Sequence, residues 1–203
     1  DGTAIAYDFY GNGPALIYIP GKLLPILQTG GTPLYAMERE VEDIEAMIDA
    51  AGGKAHLYGH SSGAVLALEA ALRLGDKIDK VVNKLLDAGD NKKALTTFLA
   101  DIGMPGLFVR LLPLFPGWKT RVALAPTLAY DIALTKDFPP LERAARVTVP
   151  MQIVVGEKPA GIQDVATRLA KAIPGAEFVR LAGQNHMLGA KALLPVLSRF
   201  LNR

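Results

Sequence analysis

Residues 57–63 read Leu-Tyr-Gly-His-Ser-Ser-Gly. Two adjacent serines stand between two glycines, after a short apolar stretch and before the Ala- and Leu-rich run 62–74. Only Ser61 has a glycine two positions away on each side, as Gly-x-Ser-x-Gly requires. A free serine hydroxyl is a weak nucleophile and needs a base to activate it. Held on a tight turn between a strand and a helix, it stands at the C-terminal end of the strand, and Gly59 and Gly63 let the two backbones pass closely. The backbone N–H of Ser62, the next residue, then faces the oxyanion of a tetrahedral intermediate. The alternative is a serine-rich loop in which Ser61 or Ser62 is an ordinary helix cap.

The base must come from elsewhere. His186 lies in Gly-Gln-Asn-His-Met, between the last apolar strand pattern and the last helix pattern, where it can swing over the same end of a sheet. Its alternative role is that of a surface-loop histidine. His60 is the neighbour of Ser61 and points away on such a turn, and His56 lies inside a strand and reads as structural. A second oxyanion donor belongs in the loop after the buried strand 15–19, where Pro20-Gly21-Lys22 stands, so the backbone N–H of Gly21 or Lys22 is the candidate.

The elements that would hold these residues alternate. Strand patterns cover 4–10, 15–19, 55–58, 151–155 and 176–181, and helix patterns cover 34–50, 62–74, 160–173 and 190–201. In 34–50, Met37, Val41, Ile44 and Ile48 form one apolar stripe, and Gly52-Gly53 stops the helix. Alternating strands and helices predict a mostly parallel α/β sheet. Residues 76–145 read instead as several helices, beginning with 76–89. The expected division is therefore a core of 1–75 and 146–203 with a helical lid at 76–145. Within it, 107–118 either lines an apolar pocket or packs the helices onto the core.

Composition narrows the function. With 22 basic and 20 acidic residues the 203-residue chain carries a net charge of +2, which gives no footprint for nucleic acid. There is no cysteine, so thiolate chemistry and disulfides are excluded, and three histidines by themselves do not suggest zinc. No metal or organic cofactor is implied. No signal peptide or spanning helix is expected, and a cytoplasmic location is expected from that absence of signals.

The stretches DGTAIAYDFYGNGPALIYIPG and LYGHSSGAVLALEAA and the closing strand–GQNHM–helix resemble the α/β-hydrolase superfamily, in its esterase-like branch. The resemblance covers roughly two thirds of the chain. It implies that Ser61 attacks an acyl carbonyl, that His186 moves the protons, and that water hydrolyses the acyl-enzyme. The expected substrate is a small-molecule ester, small to medium and fairly apolar. Two departures stand out. Residues 22–33 are too short for the strand and turn that usually follow the oxyanion loop, and 76–89 reads as helix where a strand is usual. Fewer strands than usual are expected, from a shortened hydrolase or from a chain lacking segments of a longer parent. The triad acid stays open between Glu157, in the loop after strand 151–155, and Asp131; Asp164 reads as a first-turn helix residue. A ligand-binding or receptor-like protein with little turnover is the alternative, and pairing of copies through exposed sheet edges is a third expectation.

Overall fold

Val81 and Val82 are adjacent in sequence and both are fully buried. That is the signature of a central strand with both faces covered, since successive side chains point to opposite sides. In a computed structural model of the protein, which describes residues 7–20, 37–84, 141–158, 161–185 and 188–203, they lie at the middle of a five-stranded sheet. The elements are β1 (Leu16–Ile19), α1 (Met37–Ala50), β2 (Ala55–His60), α2 (Ser62–Arg73), β3 (Ile78–Lys84), α3 (Leu141–Ala144), β4 (Met151–Gly156), α4 (Gly161–Ala172), β5 (Glu177–Leu181) and α5 (Ala190–Leu201). The strands run in the order β1-β2-β3-β4-β5, every adjacent pair parallel. All their C-terminal ends therefore share one edge of the sheet.

The larger core joins Ile44 and Ile48 of α1, Leu66 and Leu68 of α2 and Leu169 of α4 to Leu57, Val81 and Ile153 of the sheet. On the other face α5 sets Leu193, Leu197 and Phe200 against Val82 and Val154. Lys80 ties that helix down: its Nζ donates to the carbonyls of Phe200 (2.8 Å) and Leu201 (3.1 Å), at the negative end of α5. Glu69, buried within α2, accepts from Arg143 of α3 and pairs with Arg73, so α3 is anchored to the core side of the molecule.

Two expectations need correction. Residues 78–84 form strand β3, not a helix, so the core does not stop at residue 75. The spacing of Ile78, Val81, Val82, Leu85 and Leu86 matches a helical face, and that match is misleading. Ile78, Val81 and Val82 are β-branched, and ladder partners in β2 and β4 are available on both sides. Residues 7–10 are not a strand either. Tyr7, Phe9 and Tyr10 are exposed and have no ladder partner among the described residues; 4–6 lie outside them. Residues 85–140, most of the expected lid including 107–118, lie outside the described residues as well. Among the described residues no helix is long and apolar enough to cross a membrane.

Candidate active site

β2 ends at His60 and α2 begins at Ser62, so one residue makes the whole strand-to-helix turn. That residue, Ser61, has φ 63° and ψ −127°, and it is the only non-glycine with positive φ among the described residues. A serine in this region is strained by about 1–3 kcal/mol and persists only where its surroundings enforce the turn. The alternative of an ordinary cap does not describe it. An N-cap serine has extended backbone and its hydroxyl accepts from the first helical turn. Here only the Ser61 carbonyl is used, by the Ala64 N–H at 3.0 Å, and the side chain makes no capping bond.

The two glycines enforce the turn by close approach. A Cβ at Gly59 would lie 2.6 Å from Ala64 Cα and 2.6 Å from the Gly63 carbonyl oxygen. A Cβ at Gly63 would overlap the backbone carbonyls of Ile19 and Pro20. The end of β1 thus abuts the first turn of α2, and residues 21 and 22 follow directly in the chain. Ser62, which begins α2, is buried. The backbone donors Gly21 and Lys22 themselves lie outside the described residues.

Two strands along the same edge, the loops after β4 and β5 are stitched together. The Glu157 carboxylate accepts the Gly183 N–H at 2.8 Å, the Glu157 N–H donates to the Leu181 carbonyl at 3.1 Å, and the Lys158 N–H donates to the Gln184 carbonyl at 3.0 Å. The loop passes so close over β4 that a Cβ at Gly156 would overlap the Gln184 and Asn185 carbonyls. Gln184 Oε1 then accepts the Gly189 N–H at the start of α5. His186 lies outside the described residues, but both its flanks are held: Asn185 over Gly156, and Gly189 by Gln184. Glu157 is exposed and belongs to the same stitched pair of loops. Asp131 lies outside the described residues, and Asp164 stands in the first turn of α4.

Inside β2, His56 and Tyr58 behave structurally. His56 and Tyr58 alternate with buried Ala55 and Leu57 along β2 and are half-buried. Burial pushes the His56 imidazole below its usual pKa, and Tyr58, stacked on Tyr18 at 5.4 Å, is pushed up to about 12 by burial and by that neighbour. Neither stands at the strand's end. The strand that sequence reasoning missed, β3, follows α2 in the chain and ends at the same edge of the sheet as β2, where a further acid can stand. Asp87 and Asp90 come next in the chain, outside the described residues. The adjacent β-branched Val81-Val82 pair was the available signal.

A profile of the Alpha/beta hydrolase family matches residues 1–193. The chain belongs to that family. An α/β hydrolase from Sphaerobacter thermophilus is 31% identical, with 94% of this chain and 93% of that one covered at a TM-score of 0.75. A meta-cleavage product hydrolase from Pseudomonas fluorescens is similar in fold at 17% identity and TM-score 0.72, with coverage of 95% and 92%. So is the naproxen esterase of Bacillus subtilis, at 13% identity and TM-score 0.65, with coverage of 95% and 84%. A comparison with curated proteins found no match. As an α/β hydrolase the chain has an all-parallel sheet of five strands among its described residues, fewer than is usual for the fold.

Proposed function

We propose that this α/β hydrolase is a serine hydrolase that cleaves carboxylic esters of small to medium, fairly apolar molecules through an acyl-enzyme. The observation that carries the reading is Ser61 alone in a strained turn, its hydroxyl unused by the helix it precedes. Ser61 Oγ attacks the ester carbonyl while His186 takes its proton. The backbone N–H groups of Ser62 and of Gly21 or Lys22 hold the oxyanion. His186 returns the proton to the departing alcohol, and water, activated by the same imidazole, releases the acid. Glu157 is the proposed acid that orients His186; its loop is bonded to the loop on which His186 stands. The esterase among the structural neighbours supports the substrate class by analogy of fold.

Intact-mass spectrometry after treatment with a fluorophosphonate tests the reading. One adduct on the native chain, absent from Ser61→Ala, is expected. A folded native chain that takes no adduct overturns it and leaves the ligand-binding alternative standing.

A further inference from the structure

One polar side chain lies inside the wedge that forms the elbow, and the mechanism above does not use it. Across the sheet, Ile19, Gly59, Asn83 and Ile153 form one row at the C-terminal edge, each the register partner of the next. Ile19 and Ile153 belong to the core on the α2 side, so this row faces α2. Gly59 is its gap, and the first turn of α2 sits there. Asn83 borders the gap and is 0% exposed. Its Oδ1 lies 2.8 Å from the point where a Gly59 Cβ would stand, and the Gly63 carbonyl oxygen lies 2.6 Å from the same point.

In that orientation two carbonyl oxygens face one gap. Among the described residues Oδ1 has no hydrogen-bond partner, and Nδ2 reaches only the Met151 sulfur at 3.9 Å. An apolar side chain would fill this row without stranding an acceptor, and a stranded buried acceptor is destabilising. The two ends of a carboxamide have nearly the same shape, so the hydrogen-bond network decides between them. Exchanging them turns the NH2 toward the Gly63 carbonyl and removes the opposition of the two oxygens at the gap; the oxygen then borders the Met151 sulfur, which has no hydrogen to donate.

We propose that Asn83 is a positioning residue for the Ser61 elbow, its carboxamide NH2 directed at the Gly63 carbonyl so that the first turn of α2 is held against β2. The Ser62 N–H, two bonds from the Ser61 Cα–C bond, is thereby aimed with Ser61 Oγ. This rests on the reading of Ser61 as nucleophile. A small misplacement of reacting groups lowers a rate far more than it lowers stability.

The test is the rate constant and the affinity of fluorophosphonate inactivation, kinact and KI, measured beside Tm. Asn83→Leu keeps the shape and removes both polar ends. It is expected to lower kinact about 10- to 100-fold with KI within about twofold, while Tm stays at or above that of the native chain. A kinact equal to the native value in folded Asn83→Leu overturns the proposal. Where Asn83→Leu does not fold, Asn83→Ser and Asn83→Ala decide. They differ by one hydroxyl donor: Ser is expected to react faster than Ala at equal Tm, and equal rates overturn the proposal. A native chain that takes no adduct instead overturns the assignment of Ser61, a result separate from any Asn83 variant.

Discussion

At the scale of single residues, the chemistry turns on whether a side chain is free for it. Ser61 spends only its backbone on α2. Glu157 spends one carboxylate oxygen on the Gly183 N–H and, among the described residues, keeps the other. Glu157→Gln preserves an acceptor for that N–H and removes the charge that would orient an imidazole. With Glu157 as the acid, the variant is expected to slow fluorophosphonate labelling by about 100-fold or more with an unchanged Tm. Unchanged labelling passes the role to Asp131 or to an acid following β3, and Asp131→Asn is then the next variant to measure. The residues that sequence alone singled out were the ones with unusual local requirements. Gly59, Ser61 and Gly63 announce a turn that few other residues permit, whereas a carboxylate in a loop carries no such mark.

At the scale of elements, the site is held by close backbone approach and by helix ends. Gly63 has the carbonyls of Ile19 and Pro20 where a Cβ would go, so Gly63→Ala must push β1 away from α2. A loss of about 3 kcal/mol or more is expected, seen as a lower urea midpoint or as failure to fold. Lys80 works at the opposite corner, where its ammonium meets the last carbonyls of α5. Lys80→Met is expected to cost about 1.5 kcal/mol in urea unfolding and to leave labelling of Ser61 intact. Element type was legible for α1, α2, α4 and α5, because one or more apolar faces recur at helical spacing over three turns. β3 was not, because its apolar residues satisfy helical spacing and strand pairing equally. The decision came from β2 and β4, which supply ladder partners that the local sequence does not contain.

At the scale of the whole molecule, one histidine links protonation to stability. Burial depresses the His56 pKa in the folded state, with Asp79 opposing and Lys80 adding to the shift. The unfolded value is near 6.5. Between the folded and unfolded values the unfolded chain binds more protons, so folding is favoured less there. The contribution is fully present above pH 6.5 and is lost as the pH falls through that value toward the folded one. Tm should therefore drop between pH 7.5 and 5.5 by more in the native chain than in His56→Gln, as differential scanning calorimetry would read it. Equal drops would mean that His56 is solvated equally in both states.

The sequence by itself determined the Gly-x-Ser-x-Gly turn, the α/β class and the order of most elements, since each depends on residues close together in the chain. Backbone geometry at a Gly-x-Ser-x-Gly turn and the periodicity of a helix face are local properties. Only the tertiary structure decided that 78–84 is the central strand, that Asn83 borders the gap beneath Gly59, and that the Glu157 loop is bonded to the one bearing His186. Those facts depend on hydrogen-bond partners and packing neighbours that lie from 23 to 70 residues away in the chain, and no local pattern encodes which distant segment will supply them.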